Sequence, residues 1–181
     1  MMQERKIVRL VFLNRLTAWK GLDTLIRIAE FPSNFKSKVL LITPTEPNKY
    51  LIGLRQETAA RMISIVGKSV SQIDFEPGNL HIYPANYGPK SKFVEAVSIN
   101  VLEMACLGIP SLVSKKGTET WPELTVNGII TEVSWDDDIA IEEAIQKKAN
   151  SIDIETLRKS REILDVKNNL RQIFSACNFD W

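Results

Sequence analysis

The chain has 181 residues, 44% of them hydrophobic and 25% charged, with a formal net charge of +1. That composition is ordinary for a globular protein and excludes collagen-like, low-complexity and disulfide-dense classes, and so even a charge balance gives no support to a nucleic-acid binder. No apolar run approaches the roughly 20 residues of a membrane span. The opening MMQERKIVRL is charged and then strand-like, unlike a signal peptide. Cys106 and Cys177 fit neither a zinc nor a redox spacing. A reduced protein of the cytoplasm, including one attached peripherally at a membrane, is the expectation. The charge is uneven along the chain. Residues 1–60 carry ten Lys/Arg against five Asp/Glu, and residues 132–181 carry seven against eleven. A basic first third suits a phosphate-bearing ligand, although chance placement of solvated side chains gives the same count.

Apolar runs alternate with amphipathic ones. Residues 7–13 (IVRLVFL) are short, β-branched and bounded by Asn14, which predicts a strand. Residues 21–30 put Leu22, Leu25, Ile26 and Ala29 on one helical face. A second strand is predicted over 38–43 (KVLLIT), a helix over 49–60, and a third strand over 62–67 (MISIVG). A short helix over 69–75 and a turn at Pro77 and Gly78 follow. Residues 80–85 (LHIYPA) are the fourth strand, 86–93 a loop, and 98–107 a helix stopped by Gly108 and Pro110. The fifth and sixth strands are 109–114 (IPSLVS) and 128–133 (GIITEV). The segment 138–148 begins acidic and ends in lysines, as a helix dipole favours. One or two further helices are expected over 151–174. Strands this uniformly apolar, alternating with helices, imply a parallel sheet covered on both faces: a Rossmann-like, doubly wound α/β domain. With no repeat or linker, residues 1–181 read as a single domain, its core over about 7–150 and its last helices over 151–175.

In such sheets ligands bind outside the carboxyl ends of the strands. Three polar clusters follow predicted strands directly: Asn14, Arg15 and Lys20 after the first, the loop to Glu95 after the fourth, and Lys115, Lys116, Gly117 and Thr118 after the fifth. Arg15 and Lys20 are two cations in one short loop before a helix, whose free N–H groups also favour an anion. Exposed surface cations would look the same in sequence. Glu95 and Glu103 are spaced to flank a helix start at Ser98, Ile99 and Asn100. Carboxylates accept hydroxyl hydrogen bonds well, yet a first-turn acid and an exposed helical Glu share this spacing. The only histidine, His81, falls within a predicted strand and reads as structural.

These pieces together resemble the donor half of a GT-B glycosyltransferase, of the retaining group called glycosyltransferase family 4 or group 1. NRLTAWKGLD over 14–23 resembles the family's G-R-L-x-x-x-K-G-x-D stretch. EAVSINVLE over 95–103 resembles E-G-F-G-x-x-x-x-E, continued by MACLGIP, and GTETWPELTVNG over 117–128 resembles G-G-x-x-E-x-x-x-x-G. The likeness covers about residues 7–150, in the family's order. It implies that Arg15 and Lys20 bind the donor diphosphate, with backbone contacts from Ser98, Ile99 and Asn100. It further implies a catalytic role for Glu95 on the transferred sugar, a ribose contact for Glu103, and an approach of Thr43 and Gly67 to the base. No cofactor and no metal are expected, and the nucleotide diphosphate sugar is the substrate. The acceptor, a glycan, lipid or polysaccharide precursor, would be recognised by an N-terminal domain that this chain is too short to include, leaving it inactive in transfer alone. The sequence departs from the family where Asn14, Ala96 and Ser98 stand for glycines and Thr43, Pro44 and Thr45 replace a glycine turn. A non-catalytic sugar-nucleotide or protein-binding module, or an epimerase or phosphorylase of the same architecture, are the alternatives.

Overall fold

The computed structural model of the chain describes residues 9–15, 20–31, 38–44, 55–68, 72–73, 78–85, 99–149, 159 and 162–165. The elements are, in order, β1 (Arg9–Leu13), α1 (Leu22–Ala29), β2 (Lys38–Thr43), α2 (Gln56–Arg61), β3 (Met62–Val66), β4 (Asn79–Tyr83), α3 (Ile99–Cys106), β5 (Ser111–Val113), α4 (Lys115–Thr120), α5 (Pro122–Val126), β6 (Ile130–Glu132) and α6 (Asp138–Ala149). The strands form one six-stranded sheet in the order β3-β2-β1-β4-β5-β6. Every pairing is parallel.

Side chains of the central strands alternate between two covered faces, whereas the edge strand β3 is partly exposed. Leu10, Phe12, Val39, Leu41, Leu80 and Ile82 pack into one core, with Leu25 and Ile28 of α1 and Ile141 and Ile145 of α6. On the other face Val11, Leu40 and Ile42 meet Met104 of α3, while Tyr83 and Val113 meet Val101 and Ala105 of the same helix. Burial on both sides is why these strands are apolar throughout rather than alternating with polar residues. The result is the expected Rossmann-like, doubly wound α/β architecture.

Each of the six predicted strands is present. The second keeps its predicted bounds, and the fifth and sixth are shorter than expected. The helix expected over 49–60 is described only as α2. The loop expected over 86–93, and most of the segments expected to be helical over 69–75 and 151–174, lie outside the described residues.

Two short helices add to the sequence reading. Lys115–Thr120 turn into α4 directly after β5, where a polar cluster alone was expected. A Cβ added at Gly117 would stand 2.9 Å from Val113 Cγ2, so a glycine there lets α4 lie close against β5. Pro122 then opens α5 at its first position, where its missing N–H costs nothing. α1 presents Leu22, Leu25, Ile28 and Ala29 to the core, with Asp23 in its first turn and Arg27 in its last. Arg27 Nε lies 3.2 Å from Asp138 Oδ1, tying α1 to the start of α6. Among the described residues, no helix is long and apolar enough to cross a membrane.

Candidate functional site

Because all strands run the same way, their carboxyl ends share one edge. The strand order reverses between β1 and β4. In sheets of this order the ligand crevice lies outside the carboxyl ends of the two strands at the reversal. Of the predicted site residues, Arg15 directly follows β1 and Lys20 reaches the end of β4.

Arg15 is exposed just beyond β1. Its backbone N–H is 3.2 Å from Asn14 Oδ1 and donates to it. Asn14 is 7% exposed, and its Nδ2 has no hydrogen-bond partner among the described residues. Lys20 is 5% exposed. Its ammonium donates to Tyr83 Oη at 3.1 Å, crossing from the start of α1 to the end of β4.

Gly21 makes this approach sterically feasible. Its φ is 85°, and an added Cβ would lie 2.0 Å from the Pro84 carbonyl oxygen. Only a residue without a Cβ lets α1 begin so near the backbone that leaves β4. The pairing of a lysine with a following glycine, seen in the sequence, thus has a steric cause.

The N-terminus of α3 completes the crevice. Asn100 Nδ2 donates to the Leu13 carbonyl at 2.6 Å, which fixes the first turn of α3 over the end of β1. The first N–H groups of a helix have no partners within it, and with the helix dipole they favour negative charge. Ile99 and Glu103, one turn apart, are exposed, whereas Val101, Met104 and Ala105 face the core. Glu103 is therefore accessible on the same helical face as Ile99.

Thr43 and Gly67 end β2 and β3 side by side, and the Gly67 N–H donates to the Thr43 carbonyl at 3.1 Å. Thr43 is buried and Gly67 exposed. An added Cβ at Gly67 would meet nothing within 4 Å. The pair lies on the same sheet edge as the ends of β1 and β4, on the β2–β3 side. Glu95 and Ser98 lie outside the described residues.

His81 lies mid-strand in β4, fully buried, with Nδ1 2.9 Å from Ser111 Oγ. Desolvation pushes its imidazole down to about 3. A neutral ring in the sheet interior is a packing residue with a satisfied hydroxyl partner, not a proton shuttle at the strand ends.

The sequence reading missed Tyr83. In an apolar run its ring reads as core, which it is. The signal lay in its place as the last residue of a strand, where a polar tip reaches the ligand edge. Taken together, the start of α3, the buried Lys20 ammonium, Arg15 and the Asn14 amide all lie at the carboxyl-end edge of β1 and β4. Chemically this suits an anion with several oxygens. Among the described residues, no group of three or more His, Cys, Asp or Glu is gathered as a metal site.

No protein-family model matches the chain, and no curated protein sequence does either. Solved structures do match it. Anabaena HepE, crystallised with UDP, aligns with a TM-score of 0.62 over 95% of this chain and 49% of its own, at 18% identity. Sucrose-phosphate synthase from Thermosynechococcus elongatus aligns at 0.61 over 96% and 47%, at 20% identity. The C-terminal domain of a glycosyl transferase group 1 family protein, LpcC from Francisella tularensis, aligns at 0.54 over 89% and 86%, at 15% identity. The chain thus spans about half the length of the first two. At these identities the likeness shows the fold, that of GT-B glycosyltransferases.

Proposed function

We propose that this chain is the donor-binding, C-terminal part of a retaining glycosyltransferase, which passes a sugar from a nucleoside diphosphate to an acceptor glycan, lipid or polysaccharide precursor. The observation that carries this reading is at the carboxyl ends of β1 and β4, where Lys20 bonds Tyr83 and Asn100 of α3 bonds the Leu13 carbonyl. It is supported by the fold's likeness to a C-terminal domain of a group 1 glycosyltransferase and to HepE, whose crystals hold UDP.

In this reading Lys20 and Arg15 hold the donor diphosphate and stabilise the charge that develops as it departs. The two cations then do electrostatically what a metal does in other transferases, so in this reading neither metal nor cofactor is needed. The backbone at Ser98, Ile99 and Asn100 adds N–H donors to the phosphates. Glu103 accepts the ribose hydroxyls, and Glu95 contacts the transferred sugar. The base lies toward Thr43 and Gly67. The acceptor is held by a second, N-terminal domain, so the 181-residue chain binds donor without transferring it. The proposed location is the cytoplasm, including its membrane face.

Titration calorimetry with UDP-, GDP- and ADP-sugars tests the reading. One of the three should bind and be displaced by its own nucleoside diphosphate. Binding of none would overturn it in favour of a non-catalytic protein-binding module, a reading that Ala96 and Ser98 in place of the family's glycines favour.

A further inference from the structure

The donor-site reading gives Tyr83 no task, yet its geometry is specific. The side chain is 2% exposed at the carboxyl end of β4. It packs with Val101 and Ala105 of α3, the helix whose first turn borders the crevice. Its hydroxyl lies 3.1 Å from Lys20 Nζ, and that nitrogen lies 5.5 Å from the ring centroid. The two distances put the ammonium off the hydroxyl end of the ring rather than over its face. The contact between Lys20 and Tyr83 is therefore a hydrogen bond to the hydroxyl rather than a cation–π contact.

We propose that Tyr83 is a positioning residue for the anion site: its hydroxyl fixes the Lys20 ammonium where the phosphates of a nucleoside diphosphate sit. The proposal rests on the donor-site reading and deepens it. A lysine stem is flexible and loses much rotamer freedom on being held. A side chain ordered before the ligand arrives spares the complex that loss. A phenol suits this task because its oxygen orients an ammonium without cancelling the charge, which a carboxylate in that place would do. Tyr83 is itself rigid, gripped between β4 and α3, so one ring sets both Lys20 and a helix whose N-terminus serves the same ligand.

A double-mutant cycle in the full chain tests this. UDP, GDP and ADP are titrated into wild type, Tyr83→Phe, Lys20→Met and the double variant. Phe keeps the ring and its packing and removes only the oxygen. For the diphosphate that binds wild type most tightly, Tyr83→Phe should weaken binding about five- to tenfold, on the scale of a hydrogen bond at a charged group. In the Lys20→Met background the same change should have no further effect.

An equal loss in both backgrounds would mean that Tyr83 acts through the fold alone and would overturn the proposal, as would a Tyr83→Phe variant that binds like wild type. A wild-type chain that binds none of the three removes the donor site and this role with it. A measurement on the unaltered protein stands beside the cycle. The 15Nζ resonance of Lys20 should be slowly exchanging before ligand is added and should shift with the diphosphate. A resonance averaged with solvent would overturn the preordering.

Discussion

Between the strands that flank it, His81 is a base withheld from protons. Its folded-state pKa is about 3 against an ordinary 6.5, because burial disfavours the imidazolium. The unfolded chain therefore takes up a proton as pH falls below 6.5, and the folded chain does not until about 3. The stability this group lends is complete above the first value and declines toward the second. At about pH 5 the loss should be about 2 kcal/mol, from roughly 1.5 units at about 1.4 kcal/mol each. Urea unfolding between neutral pH and about pH 5 checks this, and His81→Gln should flatten the slope. The two cations of the crevice should also behave differently. Lys20 is 5% exposed and Arg15 lies open to solvent. Lys20→Met should cost diphosphate binding about 1.5–3 kcal/mol, as for a charged hydrogen bond. Arg15→Ala should cost less, about 1 kcal/mol, and its effect should fade at high salt where exposed charges are screened. Equal losses at low and high salt for Arg15→Ala would place its guanidinium against the ligand in a dry contact instead.

The elements were legible to different degrees. Apolar runs marked the strands, most clearly β2 and β4, whose residues are almost all buried and so have no reason to alternate. α1 was legible from Leu22, Leu25 and Ala29. α4 and α5 were not. Each is under two turns long, too short to show a period, and α4 contains Gly117, a residue that argues against a helix until its contact with Val113 is seen. Arg15, Lys20 and Glu103 stood out in the sequence by their place after strands or on a helix, whereas Tyr83 was hidden by its hydrophobic neighbours. Two glycines with positive φ separate backbone conformation from contact. Gly21 has φ 85° and a would-be Cβ 2.0 Å from the Pro84 oxygen, whereas Gly67 has φ 67° and open space. Gly67→Ala should cost only the left-handed conformation, about 1–2 kcal/mol. Gly21→Ala must also push α1 away from the end of β4 and should lose at least about 3 kcal/mol, near the range of an overpacked core. Urea midpoints of the two variants decide it. A Gly21→Ala variant no less stable than Gly67→Ala would show that α1 shifts freely.

At the scale of the whole molecule, alternation of strands and helices implied a parallel sheet but not the order of its strands. That order depends on β1 pairing with β4, strands whose residues Leu10 and Leu80 meet in register from distant parts of the chain. No local pattern records such a contact. The chain matches about half the length of HepE and of sucrose-phosphate synthase. Under the proposed function it should accordingly bind a nucleotide sugar and glycosylate no acceptor. A radiolabelled-sugar assay checks this, and sustained transfer by the purified chain would require a complete active site within it. The β1–β4 pairing also divides the molecule into two half-sheets, β3-β2-β1 and β4-β5-β6. Lys20 to Tyr83, Asn100 to Leu13 and Gly21 against Pro84 all cross that seam. Arg15, Lys20, Thr43 and Gly67 come from one side of it, and Ile99, Asn100 and Glu103 from the other. Neither half owns the crevice. A ligand seated there is a rivet through both halves, and its binding energy counts toward keeping the sheet whole.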